Sequence, residues 1–180
     1  MEILVLAFLL ISFIVYGVIE YYKHQSVLST IPIRIHVNGA RGKSSVTRLI
    51  AAGLRAGGFK TLAKTTGSAP RIIDKNGEDH IINRLRSASI GEQIKLIKLF
   101  SREKPDAMVM ECMAVQPEYQ WVTEQKMVKS TIGVITNVRP DHLDEMGYDL
   151  ESIALSLSNT VPYNSTFITA EENIVEPLKQ

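Results

Sequence analysis

A single cysteine, Cys112, among 180 residues excludes any intramolecular disulfide. A reducing compartment is the natural expectation for the folded part, with the lone thiol serving as a small buried side chain. Charge of one sign is missing too. Lys and Arg number 20 against 19 Asp and Glu, a formal net charge of +1, so bulk electrostatics give nucleic acid no surface to bind. There is no internal repeat, and no low-complexity tract beyond the apolar amino terminus. Once that terminus is subtracted, the remainder suits one compact domain of about 100 to 200 residues with a sizeable core.

The amino terminus is the one long hydrophobic run. Residues 3–19 are almost wholly apolar, interrupted only by Ser12, Tyr16 and Gly17 and flanked by Glu2 and Glu20. As a helix the run covers roughly 26 Å, and Tyr21 and Tyr22 at the interface would complete a span of about 30 Å. A cleaved signal peptide would need a basic start and a small-x-small cleavage site, and both are lacking. A core helix would be unusually apolar all round. Residues 1–23 are therefore expected to be a single-pass transmembrane anchor in the cell membrane. Lys23, His24, Arg34, Arg41 and Lys43 follow the run while no basic residue precedes it, which places the soluble domain in the cytoplasm. Residues 24–32, with Gln25, Ser26, Ser29, Thr30 and Pro32, read as a short polar tether, and the domain is expected over residues 33–180.

Ile33, Ile35 and Val37 alternate with Arg34, His36 and Asn38 as in a strand, while Val46, Leu49, Ile50 and Leu54 recur at helical spacing. Between them stand Gly39, Ala40, Arg41 and Gly42. A strand that turns sharply into a helix aims the free N–H groups of the helix start, and the positive end of its dipole, at a phosphate. Gly39 and Gly42 let the backbone approach a ligand, Lys43 can reach terminal phosphates, and Ser44, followed by Ser45, offers a hydroxyl to magnesium. The pattern G-x-x-x-x-G-K-[ST] is incomplete, because Val37 takes the place of its first glycine. A glycine-rich turn before a basic helix start is the alternative reading.

The helix after the loop should stop at Gly57 and Gly58, before a strand over residues 61–66. Thr65, Thr66, Gly67, Ser68, Ala69 and Pro70 then lie at a strand's carboxyl end, where ligands bind in open α/β sheets. Their hydroxyls could meet a metal or phosphate, or only cap their own turn. Asn76 and Gly77 suit a hairpin turn. Arg71, Arg84 and Arg86 cluster around that excursion, either as solvated or structural charges or as forked donors for a carboxylate. Residues 89–102 have helical spacing, with Ser89 as N-cap and Glu92 completing a capping box. Residues 107–111 and 131–136 read as buried strands, and 150–159 and 166–169 as a helix and a last strand. Glu111 closes the first of these strands and must reach solvent, pair, or bind a cation. Asn137, Asp141, His142 and Asp144 follow the second. His142 is either an idle loop histidine or, with Asp141, Asp144, Ser44 and Glu111, part of a set suited to magnesium or manganese.

Residues 38–45, Met110 and Glu111 at a strand end, and residues 136–144 together resemble the ATP-dependent Mur ligase and folylpolyglutamate synthase superfamily. Its loop is of the short G-x-x-G-K-[ST] kind, which accounts for the missing glycine. The apolar amino-terminal helix and residues 65–71 are similar to the branch of membrane-anchored ligases that make poly-γ-glutamate capsules. The resemblance implies an α/β fold: an amino-terminal transmembrane helix, then a P-loop, mostly parallel-sheet Mur-ligase-type central domain, incomplete here. By the same resemblance, ATP is held by Asn38, Gly39, Ala40, Arg41, Gly42, Lys43, Ser44, Ser45 and Asn137, and magnesium or manganese by Ser44, Glu111 and His142, with Thr66 weaker. Lys43, Glu111 and His142 carry catalysis, and Arg71, Arg84 and Arg86 are second-tier substrate residues. The implied reaction phosphorylates the terminal carboxylate of a growing chain, and the amine of the next glutamate attacks the acyl phosphate, releasing ADP and phosphate.

Implied partners are glutamate, poly-γ-glutamate, other membrane subunits of a polymer synthase complex and the lipid bilayer, without nucleic acid. Two departures stand out. The carbamylated lysine that many Mur-type ligases carry after the Asp-His motif has no counterpart near Ser156 to Ser158. Family members also continue beyond the position of Gln180 into a Rossmann-like domain, so the sequence is expected to be an amino-terminal portion. The alternatives are a membrane-tethered P-loop ATPase and a non-catalytic assembly subunit.

Overall fold

The computed structural model describes residues 1–67, 69–83, 89–172 and 176–179. Seven strands form one sheet: β1 (Ile33–Asn38), β2 (Thr61–Thr65), β3 (Arg71–Ile73), β4 (Asp79–Ile81), β5 (Ala107–Glu111), β6 (Ile132–Ile135) and β7 (Thr166–Thr169), in the order β4-β3-β2-β5-β1-β6-β7. The five strands from β2 to β7 pair in parallel, and β3 and β4 add an antiparallel hairpin at one edge. Parallel pairing follows from the crossover helices, and burial on both faces follows from the parallel pairing. Hence β5, with no polar residue before Glu111, sits beside β1 in the middle.

Helices cover the two faces. One is covered by α2 (Lys43–Ala56), which packs Val46, Ile50, Ala51 and Leu54 on Ile35, Val37, Ala63 and Val109. On the other, α3 (Glu92–Arg102) buries Leu96, Ile97 and Phe100 against Leu62, Met108 and Met110. Short helices α4 (Pro117–Val122) and α5 (Leu143–Met146) precede α6 (Leu150–Ser158), which packs Ile153, Ala154 and Leu157 against Ile135 and Val138. The stops read from sequence hold: α2 ends at Gly57, and Gly77 turns the β3–β4 hairpin with φ +89° while Asp74 accepts the N–H groups of Asn76 and Glu78.

Two local expectations are corrected. The capping box does not form, because residues 90 and 91 make a turn ahead of the helix, with Gly91 as its N-cap and Glu92 N–H donating to the Ser89 carbonyl. The Ser89 hydroxyl accepts from Gly91 instead, 3.3 Å away. The tether expected over residues 24–32 is also different. Helix α1 runs unbroken over Glu2–Ser29, and His24 and Leu28 are buried. Leu28 and Ile31 join the core under α3, and His24 Nε2 lies 2.7 Å from the Met127 carbonyl. The apolar spacing of Val27, Leu28 and Ile31 outweighs the polar composition that suggested a linker. Ahead of it, α1 is long and apolar enough to cross a membrane, and its large side chains up to Tyr22 are exposed.

The sequence reading also missed the segment after β5. Helix α4 continues into a π-helical turn, Thr123–Val128, which ends at Lys129 in the left-handed conformation with φ +46°. That turn inserts Glu124 beneath β1, where its carboxylate meets His36 Nδ1 at 2.7 Å and accepts from the Ser130 N–H and hydroxyl at 2.8 and 2.9 Å. Both partners are fully buried. Burial alone would push the imidazole pKa down, but Cys112 and the Glu124 carboxylate outweigh it and hold it up, from 6.5 to about 10. A histidine raised in this way contributes stability that is complete below about pH 6.5 and is lost as pH climbs through about 10. Breaking a buried pair costs roughly 3 kcal/mol. Glu124→Gln should therefore lower the melting temperature most at pH 6 and progressively less toward pH 10; a pH-independent deficit in thermal melts would contradict this charge assignment.

Candidate functional site

The carboxyl ends of β1, β5 and β6 lie side by side, since Val37 pairs with Glu111 and Asn38 with Ile135. The loop from Gly39 to Gly42 leaves β1 over that edge and enters α2, with Gly42 as its N-cap in the left-handed conformation. Gly39 has φ +129°, and a Cβ there would stand 2.1 Å from Thr136 Oγ1 and 2.9 Å from the Thr136 nitrogen. Only glycine lets the loop press so closely on the segment after β6. That segment grips it in return. Ala40 N–H donates to the Asn137 carbonyl and Arg41 N–H to Asn137 Oδ1, both at 3.1 Å. Asn137 Nδ2 and the Thr136 hydroxyl donate to the Arg41 carbonyl at 3.0 and 2.7 Å. Asn137 thus braces the loop from behind.

Lys43 folds across the loop and donates to the carbonyls of Gly39 at 2.7 Å and Ala40 at 3.2 Å. Beside it, the Ser44 hydroxyl donates to the Glu111 carboxylate, 2.8 and 3.0 Å from its two oxygens. Thr66 N–H donates to Glu111 Oε2 at 2.7 Å. Glu111 is buried, so these donors are what make a carboxylate tolerable at the end of an apolar strand. A hydroxyl and a carboxylate facing each other beside a phosphate-type loop are hard oxygen donors, which fit magnesium or manganese.

Two clefts meet at Lys43. One, of about 330 Å³, is lined by the loop from Ala40 to Ser45 with Glu111 and Asp141. The other, of about 200 Å³, places Thr66 and His142 across from Lys43, with Cys112 in its wall. His142 stands at the N-cap of α5 in the left-handed conformation, with φ +47°. Asp141 Oδ1 accepts from Arg41 at 3.2 Å, so an exposed guanidinium bridges the first cleft. No sequence signal pairs these two, which are 100 positions apart.

Other sequence candidates do not join the clefts. The Asn38 side chain is buried behind the loop and donates to Gln120 Oε1 at 2.8 Å and Thr160 Oγ1 at 3.1 Å. Gln120 donates in turn to the Val115 carbonyl and to Ser156 Oγ, which is buried near the place where the resemblance expects a lysine. The Asn38 side chain therefore faces the supporting layer and lines neither cleft. Asp144 accepts from the Tyr148 hydroxyl at the surface. Arg71 lies 3.8 Å from Asp79, which Arg48 grips through both carboxylate oxygens at 2.8 and 2.9 Å. Arg84 and Arg86 lie outside the described residues. The close approach at Gly39 makes Gly39→Ala a direct probe: it should cost about 1 to 3 kcal/mol of stability in denaturant titrations, and wild-type stability in the variant would refute the tight packing on Thr136.

Residues 37–173 match the Mur ligase middle domain. Over 169 residues the chain is 41% identical to the capsule biosynthesis protein CapB of Bacillus anthracis and 38% identical to the PGA synthase CapB of Bacillus subtilis. Each match covers 93% of this chain but only 36% and 43% of those proteins, so the chain spans well under half the length of the curated relatives it matches. Among solved structures, E. coli FolC in complex with ADP superposes with a TM-score of 0.65 at 18% identity, over 87% of this chain and 42% of that one. A bifunctional folylpolyglutamate synthase/dihydrofolate synthase with Mn, AMPPNP and L-glutamate bound gives 0.62 at 19% identity, over 89% and 43%. At such identities the superpositions establish the fold, and with the match over residues 37–173 they lead to one conclusion: the chain belongs to the Mur ligase middle domain family.

Proposed function

We propose that this chain supplies the ATP-binding part, over residues 33–180, of an ADP-forming amide ligase that adds glutamate to poly-γ-glutamate at the cytoplasmic face of the cell membrane. The observation that carries the reading is the position of Lys43 at the junction of two clefts, one holding the loop, Ser44 and Glu111 and the other Thr66 and His142. The names of the two curated relatives and the ADP, Mn and L-glutamate of the solved neighbours support it.

In this reading the N–H groups at the start of α2, from Gly42 to Ser45, hold the β- and γ-phosphates, and Lys43 exchanges its two loop carbonyls for phosphate oxygens. Ser44 and Glu111, with His142 and Thr66 on the neighbouring wall, would hold magnesium or manganese, whose charge would lower the cost of bringing a carboxylate to the γ-phosphate. A carboxylate oxygen of the polymer end attacks the γ-phosphorus, and the bond to the β-phosphate oxygen breaks to release ADP. The amine of the incoming glutamate then attacks the acyl carbon, loses a proton and expels phosphate. Binding and orientation are the protein's main contributions. The apolar, exposed part of α1 serves as the anchor, alongside other subunits of a membrane complex.

Lys43→Ala should weaken ATP binding at least tenfold, and Glu111→Gln should remove its dependence on magnesium, as read by titration calorimetry with and without the metal. In the assembled polymer-forming complex, both variants should abolish glutamate-dependent ADP release. ADP release indifferent to glutamate would instead identify a tethered ATPase, and normal polymer output from Lys43→Ala would leave only an assembly role.

A further inference from the structure

We propose that the face at the amino ends of the parallel strands rests on the bilayer and takes acidic phospholipid headgroups in the cleft between Arg34, Trp121, Lys126, Lys129 and Tyr163. The proposal rests on the reading of α1 as a membrane span. Topology provides the orientation. Helix α1 enters the domain just before β1, whereas the phosphate-type loop leaves β1 at its other end, so the two lie at opposite edges of the sheet. The nucleotide clefts then face away from the membrane.

Distance supplies the second argument. Lys129 Nζ lies 2.6 Å from Gln25 Oε1 and 3.5 Å from the Tyr21 hydroxyl, and 5.6 Å from the centre of the Tyr21 ring. Tyr21 and Tyr22 come just after the apolar run and Glu20, where a spanning helix leaves hydrocarbon for headgroups. Lys129 is thus tied to the helix at headgroup level, and with it the cleft of about 410 Å³ that it lines.

Charge and shape supply the third. Arg34, Lys126 and Lys129 bring three cations to this cleft, and Glu124 is its one carboxylate among the described residues. Glu124 is fully buried and engaged with His36 and Ser130, so it leaves the positive field at the opening intact. The Arg34 guanidinium is fixed by the carbonyls of Lys129 and Ile31 at 2.9 and 2.8 Å, and the Lys126 ammonium stands 4.9 Å over the Trp121 ring. Tyr163 is 66% exposed at the rim. Cations interleaved with amphipathic rings match an interface of phosphates over acyl chains.

Trp121 is the only tryptophan, so its fluorescence reports this face alone. The 180-residue chain would be reconstituted into phosphatidylcholine vesicles with and without phosphatidylglycerol, each containing lipid brominated high on the acyl chain. Strong quenching in the acidic vesicles is expected, reduced in neutral ones, and reversed in both Lys126→Glu and high salt. Quenching that is absent, or equal in the two lipids, overturns the proposal. Alkaline carbonate extraction separates the failures: a chain released from the vesicles means that α1 does not span, whereas a retained chain with an unquenched Trp121 means that another surface, or a protein partner, faces the membrane.

Discussion

The parallel register of β1 between β5 and β6 is the constraint on which the rest depends. It sets Glu111 beside Val37 and the start of residues 136–142 beside Asn38, so a loop, a carboxylate and a histidine from three distant stretches reach one edge. Because side chains alternate across a strand, a slip of one residue would exchange the two faces of β1 and turn Ile35 and Val37 away from α2. The glycine at 39 then does what the register permits, bringing backbone against Thr136 where any Cβ would collide.

Much of the polar chemistry in this domain supports that register from behind. Arg34, His36 and Asn38 are the residues of β1 that face away from α2, and each is matched by fixed partners: carbonyls for Arg34, Glu124 for His36, and Gln120 and Thr160 for Asn38. A central strand with polar residues on one face is costly unless each is paired, and the pairing specifies where the π turn and α6 must sit. Asn38 and Asn137 illustrate the division of labour. Both side chains are engaged by the protein itself: one ties the last residue of β1 to the underlying layer and the other clamps the peptide groups of the loop that follows.

The π turn also joins the two ends of the molecule. Its Glu124 carboxylate meets His36 of β1, while the Met127 carbonyl and the neighbouring Lys129 hold the last turns of α1. The apolar helix is therefore continuous with the core and not hung from it by a flexible linker. A rigid connection of this kind fixes which face of the domain follows the helix.

From the sequence by itself, periodicity and punctuation determined the strand–loop–helix start, the stop at Gly57, the hairpin at Gly77, the buried strand ending on Glu111 and the apolar amino-terminal helix, because each of these is a local matter of side-chain spacing and backbone freedom. The loop residues, Glu111, Thr66 and His142 were legible as candidates because their residue types stand at strand ends. Only the tertiary structure decided that His36 and Asn38 are buried, that Arg41 meets Asp141, that residues 24–29 are helix and that Arg71 stands at the hairpin with Asp79. Each of those outcomes depends on a partner contributed by another part of the chain, often many tens of residues away, and a one-dimensional pattern carries spacing but not the identity of what will be packed against it.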